Sequence, residues 1–340
     1  MKLFSCDNCQ QTLYFENSLC VSCGKAVAYS PETAQLATLK SGDRLCVNAT
    51  EHEACNWLVT GDADAQYCRS CELSSVIPDL SDPANGQAWR RIEAAKRRLL
   101  YTLYALKLPV TSRAQDAEHG LTFRFLKGTE DEPVMTGHDE GVITLNIDEA
   151  DFAFRENMRE KMGEGYRTVL GHLRHEIGHY YWDRLVDGSV LLEGFRALFG
   201  DERASYDAAL ERHYQSGPPA QWAESFISAY ASMHPWEDWA ETWAHYLHMV
   251  DTLETAKSHG LTVRAPANER VATDRLTFFD FDALTTGWNA LTLALNSLNR
   301  SMGMKDAYPF VLSPTVLGKL RFVHGAVQRR AAAPPVVAAA

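Results

Sequence analysis

No stretch of this 340-residue sequence stays apolar for the roughly 18 residues that a bilayer-spanning helix needs, so nothing in it reads as a membrane segment. The opening residues, Met1-Lys2-Leu3-Phe4-Ser5-Cys6, run straight into a cysteine pair and lack the apolar stretch of an export signal. A cytoplasmic location is therefore expected. Positive charge is also scarce: 33 lysines and arginines against 44 aspartates and glutamates leave a net charge of −11. That balance argues against a general attraction to nucleic acid or to an anionic membrane. Cysteine is missing from residue 72 onward, and all eight cysteines precede it. In an exported mini-domain such density would suggest disulfides. Without an export signal, metal binding in a reducing compartment is the better reading.

Composition divides the chain into three regions. Residues 1–80 hold every cysteine and read as short strands and turns. Pro78, Ser81, Asp82, Pro83, Asn85 and Gly86 form a breaker-rich linker. Residues 81–330 are dominated by helical periodicity, with helices expected near 87–107, 150–162, 165–186, 202–214, 221–233, 236–250, 286–302 and 314–328. Strands are expected at 121–127 and 141–148. A few strands followed by many helices predict an α+β layout. The low-complexity tail, 331–340, reads as disordered. Arg90, Arg91, Lys96, Arg97 and Arg98 read as the solvated face of an amphipathic helix rather than as a nucleic-acid patch. The strand at 141–148 is expected at a sheet edge, where an extended peptide could add to it; the alternative is a central strand.

Cys6-x2-Cys9 and Cys20-x2-Cys23 form two knuckles ten residues apart. Two residues between thiolates let both sulfurs reach one ion, and two such pairs complete a tetrahedral Zn²⁺ site. Gly24 supplies the permissive backbone that such a knuckle often needs. The second cluster, Cys46, Cys55, Cys68 and Cys71, has one tight pair and reads as a second four-cysteine site, with a cross-braced arrangement of the two clusters left open. Zinc here can replace a core too small to form alone. Residues 1–80 carry five basic and ten acidic residues, which suits a structural role or protein docking and not phosphate binding.

His175-Glu176-Ile177-Gly178-His179 places two histidines four residues apart, on one face of a helix, where both imidazoles can reach one Zn²⁺. Glu176 projects beside them, placed to accept a proton from metal-bound water. Val169, Leu170, Leu173, Ile177 and Tyr180 make an apolar stripe on that helix. Trp182 and Leu185 stand where a metzincin needs glycine and histidine, which excludes that subclass. Asp183 continues the same face but overshoots the metal, and is expected to orient a ligand or to pair locally. In His234-Pro235-Trp236-Glu237-Asp238-Trp239-Ala240-Glu241-Thr242-Trp243-Ala244, Glu237 and Glu241 share a helix face. Ala240 and Ala244 are small enough for close packing against the first helix. One helix can thus offer a zinc carboxylate and, a turn later, a second carboxylate that supports a ligating histidine. His245 and His248 read as packed or surface histidines.

These residues resemble the gluzincin metallopeptidases, whose signature is HExxH followed by a helix bearing Glu-x-x-x-Asp/Glu. The resemblance implies Glu237 as zinc ligand and Glu241 as its supporting carboxylate. The string Glu237-Asp-Trp-Ala-Glu241-Thr-Trp-Ala is similar to lethal-factor-type peptidases, which place a tyrosine seven residues before the ligand, here Tyr230. Cys55-Asn-Trp-Leu-Val, Ile77-Pro-Asp-Leu and the two helix motifs together resemble bacterial zinc-binding metallopeptidases with an N-terminal zinc ribbon. What this implies is a zincin-like, mostly helical domain behind a small zinc-ribbon domain, with one catalytic and two structural zinc ions. Peptide bonds would be hydrolysed by Glu176-assisted attack of zinc-bound water, with Tyr230, or failing it His234, as oxyanion donor. The expected partners are a peptide or protein substrate and a protein bound through the ribbon. A catalytically silent binding module, or a zinc hydrolase of another amide or ester, are the alternative readings.

Overall fold

The computed structural model describes residues 1–129, 131–162, 165–264, 270–272 and 280–332. The chain divides into two compact units. The first comprises Met1–Tyr104, Val110–Leu173 and Asp251–Thr262. Its N-terminal part is built from hairpins: β1 (Phe4–Ser5) pairs antiparallel with β2 (Thr12–Leu13), and β3 (Val27–Ser30) with β4 (Gln35–Thr38). A single helical turn, α1 (Val47–Thr50), follows. Metal is not the only substitute for a core here. Phe15, Tyr29 and Trp57 are buried together with Tyr101, with ring centroids 4.9 Å apart for Phe15–Tyr29, 5.0 Å for Tyr29–Trp57 and 5.2 Å for Phe15–Tyr101. Tyr101 belongs to the long helix α2 (Pro83–Ala105), so the cysteine-rich segment is anchored on aromatic packing as well.

Strands β5 (Ser74–Val76), β6 (Thr122–Leu126), β7 (Gly137–Asp139) and β8 (Val142–Asn146) form one sheet in the order β5-β6-β8-β7. β5 pairs with β6 and β6 with β8 in parallel, and β7 closes onto β8 antiparallel. This overturns the edge position expected for 141–148. The tight turn at Glu140–Gly141 folds β7 back over Val142–Thr144, and Thr136 and Val134 accept from the Asn146 backbone and side-chain amides. β8 is therefore an interior strand, with Ile143 and Leu145 fully buried. Helix α3 (Phe152–Met162) follows.

The basic run on α2 also departs from expectation. Lys96 is buried beside Glu93 at 2.9 Å, bonded to the Ser74 hydroxyl, and lies 5.5 Å from the ring centres of Phe123 and Phe125. Arg97 is buried and donates to the Ala54 carbonyl, while Arg98 pairs with Glu16. Periodicity saw cations on a helix; it could not see that the sheet and the cysteine-rich segment would supply their acceptors.

The second unit comprises Ala105–Pro109, Arg174–Val250 and Val263–Ala340. Its helices are α4 (Val169–Leu185, whose first residues lie in the first unit), α5 (Leu192–Phe199), α6 (Tyr206–Ser216), α7 (Pro235–Ser258, whose last turns lie in the first unit), α8 (Phe281–Ser301) and α9 (Pro314–Ala332), with β9 (Thr262–Arg264) pairing β10 (Arg270–Ala272) before α8. Helix α5 was not expected; its eight residues close on the stacked rings of Phe195 and Phe199, 5.0 Å apart. The helix expected at 221–233 does not form. Only 3₁₀ turns occur there, at Trp222–Glu224 and Tyr230–Ser232. Serines give the backbone other partners: Ser228 Oγ accepts from the Ala231 N–H at 3.1 Å, and Ser232 Oγ donates to the Ala229 carbonyl at 2.6 Å. In the tail, α9 runs through Ala332, and 333–340 lie outside the described residues.

Candidate metal centre

Two helices meet at the HExxH segment because both are thin at the crossing. A β-carbon on Gly178 would stand 3.0 Å from Ala240 Cα and 3.2 Å from Trp243 Cβ, so the absence of a side chain there lets α4 and α7 approach. Trp239 fixes the crossing: fully buried, it donates its indole N–H to the Gly178 carbonyl at 2.8 Å. Trp243 stacks on Tyr181 at 4.9 Å. The start of α7 is held by His234, whose Nδ1 accepts from the Trp236 N–H at 3.2 Å, which leaves the Nε2 hydrogen for the Ala204 carbonyl at 3.0 Å. Both nitrogens of His234 are thus engaged by backbone, a structural duty and not that of an oxyanion donor. One residue past Glu237, Asp238 is buried against Lys319 of α9 at 2.5 Å. Burial pushes the Asp238 carboxyl up to about 7, against the pull of Lys319.

This crossing brings His175, His179 and Glu237 into one cluster. His175 Nε2 lies 2.9 Å from Glu237 Oε2 and 3.2 Å from His179 Nε2, and His179 Nε2 lies 3.5 Å from Glu237 Oε1. Ligands held 2.0–2.1 Å from a tetrahedral zinc stand about 3.3 Å apart, close to these separations, with Glu237 turning one oxygen to each imidazole. Their chemistry agrees, two imidazoles and a carboxylate being a common zinc set. Glu237 is almost wholly buried; burial alone would raise its carboxyl, but His179 and His175 outweigh that and hold it well below the usual range. His175 shows the converse, with burial overcome by Glu237 and Glu241, so that its affinity for a proton is raised.

Around the cluster, Glu241 Oε1 lies 2.7 Å from His175 Nδ1. Burial would raise Glu241, yet its bond to His175 brings it down to about 2. Two groups without any local sequence signal complete the surround. Ser228 donates to Glu241 Oε2 at 2.6 Å, and Tyr206 donates to Glu237 Oε1 at 2.9 Å. Tyr206 follows Ser205, which caps α6 and is recognisable as a helix start, but no local pattern connects either residue to a carboxylate 13 or 31 positions away. The Tyr230 ring stands 6.0 Å from that of His175. Burial and the Glu237 charge raise its phenol further above the ordinary range. Glu176 is buried, and burial pushes its carboxyl up against the pull of His175 and His179. Asp183 lies exposed one turn beyond His179.

His245 and His248 are packed histidines outside the cluster. His245 bonds the Tyr308 hydroxyl at 2.7 Å, and burial, opposed by Glu241, brings it down to about 4. Arg174 donates to His248 Nδ1 at 2.6 Å, and burial and that charge hold His248 well below its usual value.

The cysteines gather into two separate groups, Cys6, Cys9, Cys20 and Cys23, and Cys46, Cys55, Cys68 and Cys71, so the clusters are not cross-braced. Sulfur separations are 3.8 Å for Cys6–Cys23 and 3.6 Å for both Cys9–Cys20 and Cys55–Cys68. A disulfide needs about 2.05 Å, whereas sulfurs 2.3 Å from a tetrahedral zinc stand about 3.8 Å apart. Both groups fit zinc. Gly24 adopts φ 70°, the conformation expected of it at the knuckle. Among the described residues no helix is long and apolar enough to cross a membrane.

Comparison with known proteins agrees with this division of labour. Residues 3–82 match a zinc-ribbon domain. The chain is 48% identical over 333 residues to uncharacterized proteins of Mycobacterium bovis and of two strains of Mycobacterium tuberculosis, covering 96% of this chain and 95% of each relative. No solved structure matches it. Residues 85–326, which contain both helices of the metal centre, match the family described as "Putative zinc-binding metallo-peptidase", and the chain belongs to that family.

Proposed function

We propose that the chain is a zinc metallopeptidase of gluzincin type, with His175, His179 and Glu237 as ligands and Glu176 as the proton-transferring residue. The observation that carries this reading is the near-tetrahedral spacing of three donors beside a buried carboxyl on the same helix. When bound, zinc supplies a Lewis acid that polarises a carbonyl and acidifies water. Glu176 takes the proton of the attacking water and delivers it to the departing amine. Its raised proton affinity suits a group that must both accept and return a proton. Glu241 holds the proton on His175 Nδ1, so that Nε2 presents its lone pair to the metal. Tyr230, beside His175, donates to the developing oxyanion.

The substrate on this reading is a peptide or protein. The two cysteine groups hold structural zinc, giving three ions per chain, and the acidic ribbon serves as a protein-docking element. Eight cysteines without a disulfide suit the reducing cytoplasm. The test is Glu176→Gln. Zinc content should match the parent, while hydrolysis of a peptide library falls by about 10²–10⁴-fold. Equal turnover by both forms would refute the mechanism, and turnover by neither would favour a silent binding module.

A further inference from the structure

A carboxylate can grip a metal with one oxygen or with both, and in this cluster something must decide which. The two oxygens of Glu237 have different partners. Oε2 faces His175 Nε2 at 2.9 Å and Oε1 lies 3.5 Å from His179 Nε2, so both oxygens border the converging imidazoles, but Oε1 alone also accepts the Tyr206 hydroxyl, at 2.9 Å.

Tyr206 is itself held in place. Ser205 caps α6 by accepting from the Ala208 N–H, and Ala209 buries the helix's inner face. His234 grips the Ala204 carbonyl at 3.0 Å, which ties the segment before Tyr206 to the start of α7, close to Glu237. The Tyr206 ring lies 5.3 Å from His234 and 6.3 Å from Trp236. A buried carboxylate oxygen left without this donor would have one favourable option, which is to turn toward a cation.

We infer that Tyr206 is a positioning residue that confines Glu237 to single-oxygen coordination and so keeps a fourth tetrahedral position open at the metal. This rests on the reading of His175, His179 and Glu237 as zinc ligands. With Tyr206 absent, both carboxylate oxygens fall to the metal and crowd the position that water or a carbonyl would use.

The experiment uses the full chain with zinc left in the cysteine clusters and Co²⁺ loaded into the third site. The parent should give the strong visible absorption of four-coordinate cobalt. Tyr206→Phe should weaken that band as the coordination number rises, and should lower zinc affinity at this site by roughly 10-fold or more in chelator competition. Retention of the two cysteine-bound zinc ions reports that the variant's ribbon is intact. A Tyr206→Phe spectrum identical to the parent's would overturn the inference, even with weakened affinity, because a merely structural loss would not change coordination. A weak five-coordinate spectrum in the parent would overturn it without any variant. Glu237→Ala separates the two levels of the argument: a third metal still bound in that variant would sink the ligand assignment itself, not only the role of Tyr206.

Discussion

The cysteine clusters and the His175–His179–Glu237 cluster put similar demands on the chain and meet them in opposite ways. Each cysteine group offers four sulfurs, which leaves a tetrahedral ion no position to share. Its donors come from knuckles and loops with little regular structure between them. The third cluster offers three donors, leaving one position over, and mounts them on two long helices locked by buried tryptophans. In the first case the metal helps to make the fold; in the second the fold makes the metal site. Ligand number and the rigidity of the support, taken together, separate a structural ion from one available for chemistry.

In the second cysteine group, Cys55 is buried with its sulfur 3.6 Å from that of Cys68. Structural zinc in such modules binds with an apparent 10–16 kcal/mol or so, most of which is folding free energy. Cys55→Ser should cost one zinc and leave residues 1–80 rapidly cleaved by protease. A variant that lost the ion yet stayed protease-resistant would show that the Phe15–Tyr29–Trp57–Tyr101 packing suffices alone. Glu237→Ala should have the opposite signature. One of about three zinc ions is lost, while thermal unfolding stays cooperative because the α4–α7 crossing rests on Gly178, Trp239 and Ala240 and not on the ion. Metal analysis and a melting curve on the same sample decide it.

The support beneath the third cluster can be weakened without touching a ligand. Lys319 is buried against Asp238 and also donates to the Ser225 carbonyl at 2.7 Å. Lys319→Met strands a buried carboxylate, at a cost of about 3–5 kcal/mol. Asp238 has a folded pKa raised to about 7 from an ordinary 3.8, so its ionisation opposes folding as pH rises through that value. The loss in the variant should therefore be greatest above pH 7 and shrink as Asp238 takes up a proton on acidification. Denaturant midpoints across that window test it, and a pH-independent loss would place the effect in packing instead.

How far the sequence reached follows from the same distinction. Metal-binding residue types that repeat at fixed local spacing are legible: the cysteine pairs, His175 with His179, and Glu237 with Glu241 are brought together in the structure as their spacing suggested. Helices with long apolar stripes are legible for the same reason. What could not be read depends on partners from elsewhere in the chain. Ser228 and Tyr206 reach the site from a turn and from another helix, and the serine bonding that places Ser228 is also what dissolves the helix expected at 221–233. β8 became interior because three residues fold back on it, too short a segment to carry an alternation pattern. Lys96 looked solvated because its acceptor, Ser74, and the rings above it lie outside its helix.

A finer contrast lies inside one helix. Glu237 and Glu241 are four residues apart on α7, are both carboxylates, and both touch His175. Their partners separate them: Glu237 reaches Nε2, the nitrogen that converges with His179, whereas Glu241 reaches Nδ1 on the far side of the ring and is held there by Ser228. A carboxylate on Nδ1 fixes the tautomer and ring orientation, and its removal typically weakens metal binding by about 10–100-fold without abolishing it. Glu241→Ala should therefore retain its third zinc at saturating metal and surrender it to a chelator that leaves the parent loaded, where Glu237→Ala has none to surrender. If Glu241→Ala loses the ion outright and Glu237→Ala merely weakens it, the two carboxylates have exchanged roles, and the metal sits on the Nδ1 side of His175.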